Sequence, residues 1–509
     1  MTHAAEQQQP MVPDTLQSLL AARIDRLALA EKHMLHIAAV IGMDVPLSLF
    51  HAMTELSEEL FRHSLSHLQT AELLYEIRRF PEQTYTFKHR LLQEAIYESL
   101  AQHTQQQLHE RIVQLLTTRF PALARTQPER LARHYTGAEG YADATVQQVY
   151  AQAHGLCQQA DDSAWLLPVL RGLLLNAVAR EEMAQARTLG AQLLTTARRL
   201  QSPEALMQAH CALGITLLYS GEPAPAYRHL EQGLRLHASH MCQPPALPCS
   251  GSHVIVTILS HMALSLWFLG YPEQALQRSQ EALASADLLA SPLARTSATV
   301  SAAILSQLRG AGREAPQQAE MAVALATTHG FAFWLALGRQ VHGWAVAAQS
   351  QGAERLAQIH QSLALIQATG SGRLLRPLLV VLLAEAYGQA GQVQEGLTLL
   401  TEALTSAHTS GACLYEAELY RLKGELLLQH AGLHSAPAET CLQRALDVAR
   451  RQQAKSLELR TALSLCRLWQ HQGKCHAARQ LLHKTYDWFT EGFGATNLVQ
   501  ARALIDTLP

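Results

Sequence analysis

The sequence predicts an all-α protein: a right-handed solenoid of stacked helical hairpins, preceded by a smaller helical module that ends in a two-stranded β-hairpin. Three observations predict the solenoid. Glycines recur at Gly140, Gly221, Gly270, Gly310, Gly352, Gly391, Gly432 and Gly473; the first gap is 81 residues, two periods, and the others are 49, 40, 42, 39, 41 and 41. Glu181 stands where the glycine missing from the first gap belongs. Small residues run in phase with these turns. Ala186, Ala226, Ala275, Ala315, Ala357, Gly396 and Ala478 follow a turn by five places, with Pro437 the exception, and Gly214, Ala263, Ala303, Ala345 and Ala384 precede one by seven. Finally, apolar residues at helical spacing run up to each glycine and resume after it, as from Ala263 through Gly270 to Leu276. A fixed period near 40 residues means stacked copies of one supersecondary unit. The small residues mark where two helix backbones approach too closely for a bulky side chain.

Taken in order, residues 1–12 are polar, with three successive glutamines, and are expected to form a disordered leader. The module spans 13–120. Pro13 opens an amphipathic stretch through Leu16, Leu19, Leu20, Ile24 and Leu27. A second apolar stretch, Met34 to Ile41, is stopped by Gly42; a third covers Leu47 to Met53 and a fourth Leu60 to Leu68. The period then changes. Leu73-Leu74-Tyr75-Glu76-Ile77 and Tyr85-Thr86-Phe87 read as strands around a turn at Phe80-Pro81-Glu82-Gln83. Helix resumes near His89 through Leu92, Ala95, Ile96 and Leu100. Helices followed by a two-stranded wing describe a winged-helix-like module. So short a hairpin is not stable alone, and it is expected to pack on the surrounding helices through Leu74, Ile77, Tyr85 and Phe87. The solenoid covers 125–509. Its 49-residue gap holds an insertion between Leu236 and His253 whose Pro244-Pro245, Pro248 and Gly251 make it a loop.

Composition bounds the function. Hydrophobic residues make up 48% and charged residues 16%, too apolar for a disordered chain. A net charge of −2 gives no reason to expect nucleic acid or an anionic membrane as partner. From Ser57 to Leu100 five basic residues face seven acidic ones, the wrong balance for a winged helix that tracks phosphates, which argues against a DNA-binding regulator. Eight cysteines without a CxxC pair read as reduced thiols, and no secretory or membrane-spanning run occurs, so a cytoplasmic protein is expected.

A family resemblance enters at specific residues. Val12-Pro13-Asp14-Thr15-Leu16-Gln17 with Ala22 to Leu27 resembles the segment that follows the ATPase core in large bacterial signalling ATPases of the STAND type, and the run Tyr85-Thr86-Phe87-Lys88-His89-Arg90-Leu91-Leu92-Gln93-Glu94-Ala95-Ile96-Tyr97-Glu98-Ser99-Leu100 is similar to their winged-helix segment. Many of those carry a class III nucleotide cyclase domain at one end and tetratricopeptide-like repeats at the other. Gly270 to Leu276, Leu383 to Gly388, Glu418 to Glu425 and Trp488-Phe489-Thr490-Glu491-Gly492-Phe493 are similar to their repeats. The departures are equally specific. No G-x-x-x-x-G-K-[ST] occurs, and the single Gly-Lys pair, Gly473-Lys474, lies in a repeat turn before Cys475. A phosphate cradle needs successive backbone N–H groups at a helix N-terminus plus the lysine. No stretch is left for a cyclase domain. The resemblance therefore implies the C-terminal half of such a protein: non-enzymatic, without a cofactor, binding a protein or peptide and acting with an ATPase or cyclase on a separate chain.

Candidate residues follow from these readings. The resemblance places His89 where a winged-helix histidine reports the state of the nucleotide, here one held in trans by another chain. If the tetratricopeptide register holds, the inward face of each first helix lies two, three, six and ten residues before the turn. That selects as groove candidates Tyr219, Trp267, Phe268, Gln307, Gln349, Glu385 and Arg467, an aromatic and amide-lined surface suited to an apolar or helical peptide. The group His237, His240, Cys242, Cys249 and His253 has zinc-ligand chemistry but matches no finger spacing, so no metal is assigned. No G-x-S-x-G nucleophile elbow is present.

Overall fold

A computed structural model describes residues 24, 27–78, 83–100, 102–127, 130–131, 133–134, 144–160, 163–241, 252–310, 314–347, 356–357, 359–361, 364, 376–432 and 434–508. The chain divides into two compact units between Arg125 and Thr126. The leader and the stretch opening at Pro13 lie outside the described residues.

The first unit runs α1 (Leu29–Ile41), β1 (Asp44–Pro46), α2 (Leu47–Thr54), α3 (Glu58–Thr70), β2 (Leu74–Arg78), β3 (Thr84–Phe87), α4 (Arg90–Ser99), α5 (Gln102–Thr118) and α6 (Pro121–Thr126). Glu31 fixes the start of α1, accepting from the Ala28 N–H at 2.9 Å and contacting His67 Nδ1 of α3 at 2.8 Å. Gln93 Nε2 of α4 donates to the Ala39 carbonyl of α1 at 2.6 Å, tying these helices together. The sheet has three antiparallel strands in the order β1-β3-β2, not the two expected. The added strand is three residues long and ends in Pro46, too brief to show alternation. It lies at an edge, where a residue lacking an N–H is tolerated. Leu74, Tyr85 and Phe87 are buried as expected, but Ile77 is 54% exposed. Leu74 pairs with Phe87 and Glu76 with Tyr85, so these share the covered face. Ile77 falls at the bulge between Glu76 and Arg78, where the ladder with β3 shifts register, and is turned out to solvent.

The second unit is the array. After α7 (Ala144–Ala160), hairpins form from α8 (Ser163–Ala179) with α9 (Met183–Arg199), α10 (Pro203–Tyr219) with α11 (Pro223–Met241), α12 (Ser252–Leu269) with α13 (Pro272–Leu288), and α14 (Pro292–Arg309) with α15 (Glu314–Thr328). Then come α16 (Ala332–Ala347), α17 (Arg376–Gln389) with α18 (Val393–Ser410), α19 (Glu416–Ala431) with α20 (Ala436–Arg451), α21 (Lys455–His471) with α22 (Cys475–Tyr486), and α23 (Thr496–Thr507). The described turns fall at Glu181, Gly221, Gly270, Gly310, Gly391, Gly432 and Gly473, all with positive φ. Glu181 holds a φ of 62°, so the period continues unbroken where glycine is missing. Gly352 lies outside the described residues.

The in-phase small residues sit where helices touch. Ala186, Ala226, Ala275, Ala303, Ala384 and Ala478 are each 0% exposed. A Cβ on Gly214 would stand 2.6 Å from the Leu230 side chain. The Pro437 exception resolves one residue later: Ala438 is fully buried, and its carbonyl lies 3.2 Å from where a Cβ on Gly424 would stand. Ser202 and Ser291 cap α10 and α14, their hydroxyls accepting from Ala205 and Ala294, and proline follows each. First helices pack beside the first helices of neighbouring hairpins, as α12 does beside α10 and α14, a contact the second helices do not make to the same extent. The first helices therefore form an inner layer. Among the described residues no helix is long and apolar enough to cross a membrane.

Candidate functional site: the inner face of the repeat array

The inner layer divides into a covered half and a charged half. In the covered half, Tyr219, Trp267, Phe268 and Gln307 are 7, 3, 0 and 8% exposed, so the expected open aromatic groove is filled. Burial also pushes the Tyr219 hydroxyl up to about 12. The cover is the C-terminal part of the same array. Inner helix α12 touches inner helix α21. Leu414 N–H donates to the Tyr219 carbonyl at 3.2 Å, Ser456 Oγ to the Trp267 carbonyl at 2.5 Å, and Thr496 Oγ1 to the Gly310 carbonyl at 3.5 Å. Phe268 meets Tyr415 edge to face at 5.7 Å. The last two bonds span 189 and 186 residues, between four and five periods, so the array comes back upon itself and the turn ends of α10, α12 and α14 abut the starts of α19, α21 and α23. Nothing local in the sequence announces this seam, because its partners are whole repeats apart.

The charged half centres on α19 and α21. Arg421 donates to both oxygens of Glu418 at 2.9 and 2.7 Å, lies 2.6 Å from Glu425, and reaches Ser464 of α21. Arg460 Nη2 is 2.8 Å from the same Glu418 oxygen. Burial alone would raise the Glu418 carboxyl, but the adjoining Arg421 and Arg460 guanidiniums outweigh it and hold it at about 2. The Arg421 guanidinium is stabilised in its charged form against its own burial by Glu418 and Glu425, with Glu385 of α17 adding to the effect. Of this network only Glu385 is among the groove candidates, while Glu418, Arg421 and Glu425 fall in a run that the sequence marks only as repeat-like. The signal was present in Glu418, Arg421 and Glu425, spaced three and four apart on one helix face. Arg467, the other charged candidate, is exposed and donates to Gln500 Oε1 at 3.0 Å. Gln349 lies outside the described residues.

Elsewhere the chemistry is sparse. His89 is exposed at the start of α4 and makes no side-chain cap. Among the described residues no three histidine, cysteine or acidic groups converge as a metal site; Cys242, Cys249 and the His240 side chain fall outside that description. His210 and His229 meet across α10 and α11, Nδ1 to Nδ1, at 3.0 Å. Burial, then His229 and Arg198, bring His210 down to about 4, so the pair is neutral near pH 7. A cleft of about 630 Å³ lies against α17 and α18, with His360 Nε2 2.8 Å from the Tyr387 hydroxyl.

No protein-family model matches the chain. An uncharacterized protein of Rhizobium meliloti (strain 1021) is 22% identical over 526 residues, covering 91% of this chain and 51% of the relative. The chain thus spans about half the length of the curated relative it matches. Among solved structures, it is similar to a Signal Transduction ATPase with Numerous Domains (STAND) protein with a tetratricopeptide repeat sensor from Pyrococcus horikoshii, at 13% identity and a TM-score of 0.34 over 97% of this chain and 67% of that one. It is also similar to a Rap protein complexed with Competence and Sporulation Factor, at 13% identity and a TM-score of 0.48 over 69% and 94%. A human IFIT1 dimer with PPP-AAAA matches at 13% identity and a TM-score of 0.41 over 96% and 98%.

Proposed function

We propose that this chain is a non-enzymatic partner-sensing arm of a STAND-type ATPase or nucleotide cyclase system. Its array receives a protein or peptide, and its first unit, a winged helix, transmits the event to a nucleotide-binding chain. The observation that carries the reading is the coincidence of two independent features in one stretch. Residues 85–100 resemble the winged-helix run of those ATPases, and the same residues fold as the last strand and following helix of a helix–strand–helix–helix–strand–strand unit. His89, exposed at the start of α4, is the residue assigned to sense nucleotide in trans. The inner face of the array is the partner surface, its polar part formed by Glu385 and Arg467.

The test is co-expression with the product of the adjacent upstream gene. That product should be a P-loop ATPase or a cyclase and should co-elute with this chain. His89→Ala should alter the nucleotide dependence of the complex while leaving the circular dichroism of the chain unchanged. The purified chain alone should neither turn over ATP nor bind it near micromolar concentration by calorimetry. ATP turnover by the chain alone, or an upstream product of neither class, would overturn the reading.

A further inference from the structure

The seam that covers the aromatic inner face has the make-up of a clasp. Its outer side is a reciprocal pair of contacts at the start of α13. Glu491 accepts from the backbone N–H groups of Glu273 and Gln274 at 3.0 and 3.1 Å and from Gln274 Nε2 at 3.1 Å, and Glu273 Oε1 in turn accepts the Gly492 N–H at 3.0 Å. The first N–H groups of a helix have no partner within it and carry the positive end of its dipole. A carboxylate docked there from 218 residues away is a tie that is ionic, exposed and weakened by salt. Trp488 adds one aromatic anchor, 5.3 Å from the Tyr271 ring and beneath Lys455 Nζ at 5.5 Å.

Behind the clasp the interface is poorly satisfied. Gln452, beside Gly221, donates through Nε2 to the Cys413 carbonyl at 2.7 Å but leaves its Oε1 buried without a hydrogen-bond partner. Buried polar groups are nearly always paired in a settled core, and an unpaired one destabilises the closed state relative to one open to water. A buried unpaired oxygen along the seam, with an exposed carboxylate holding its rim, describes a contact built to open.

We propose that this seam opens, and that α19 to α23, with Leu414 and Tyr415 at their leading edge, are an intramolecular lid over Tyr219, Trp267 and Phe268. The lid gives way to a peptide presenting the same chemistry as Trp488 to Gly492: an aromatic side chain followed three residues later by a carboxylate for the start of α13. This rests on the partner-sensing reading above, but the lid can be tested without any partner.

The experiment is hydrogen exchange on the full chain, comparing wild type with Glu491→Ala and with Lys474→Ala, which removes an exposed ion pair to Glu439 away from the seam. In Glu491→Ala, exchange at 266–276 and 486–495 should rise together by about tenfold or more, while 428–436 around Gly432 is unchanged. Lys474→Ala should leave all three segments at wild-type rates. A synthetic peptide of residues 486–495 should bind Glu491→Ala and restore protection at 266–276. No rise at the two segments, a uniform rise over every hairpin, or a peptide without effect on 266–276 would each overturn the lid. Because the exchange is read without an ATPase or cyclase, its failure leaves the signalling reading standing, and failure of the co-expression test leaves the lid standing.

Discussion

Gly270 and Gly473 occupy the same place in two repeats, yet different forces require them. Both have positive φ, 90° and 77°. At Gly473 nothing lies within 4 Å of a Cβ position, whereas at Gly270 a Cβ would stand 2.6 Å from the Trp488 ring and 2.8 Å from Lys455 Cβ. Gly473→Ala should therefore cost about 1–2 kcal/mol, the left-handed backbone alone. Gly270→Ala should cost roughly 1–3 kcal/mol more through crowding. Urea melts of the two variants check this, and equal losses would mean the seam does not press on Gly270. Ala275→Glu places a charge in a fully buried contact and should cost about 2 kcal/mol or more; an unchanged melting temperature would displace the repeat register. These positions were legible in the sequence because a turn geometry and a close approach each restrict residue type locally. Trp267 and Phe268 were half legible. Their inward direction follows from the register, but what stands against them does not.

At the scale of elements, buried charge makes α19 and α21 one body. Glu418 has its carboxyl held at about 2, below the usual 4.5, so its contribution is fully present above 4.5 and fades as the pH falls toward 2. Glu418→Ala leaves the buried Arg421 with Glu425 and Ser464 as remaining partners and should cost about 3 kcal/mol at pH 7. The gap between variant and wild type in urea melts should narrow as the pH drops below 4.5. The α10–α11 hairpin carries the opposite chemistry with the same sign. His210 is held near 4 against an ordinary 6.5, so the fold prefers it neutral, and its contribution is complete above 6.5 and lost as the pH falls toward 4. His210→Phe should flatten the decline in melting temperature across that window; an unchanged decline would assign it to other groups. Hairpins and their turns were readable from the period because each is encoded within about 40 residues. Strand β1 was not, since three residues ending in proline carry no alternation. The outward turn of Ile77 depended on pairing with β3, which the run Leu73 to Ile77 does not reveal.

At the scale of the molecule, a solenoid ordinarily sums nearest-neighbour terms, each repeat holding only the next. The seam departs from that rule by joining the hairpins around Gly270 to those around Lys455. This has a consequence during synthesis. The bonds from Ser456 to Trp267 and from Thr496 to Gly310 span 189 and 186 residues. At translation rates of about 5–20 residues per second, that interval lasts roughly 10–40 s. Over that time the middle hairpins are complete while their aromatic inner side has no cover, and the nascent chain is exposed to misassembly with its neighbours on the polysome. Yield in the cell should therefore follow the supply of ribosome-associated chaperones more closely than the stability of the finished protein.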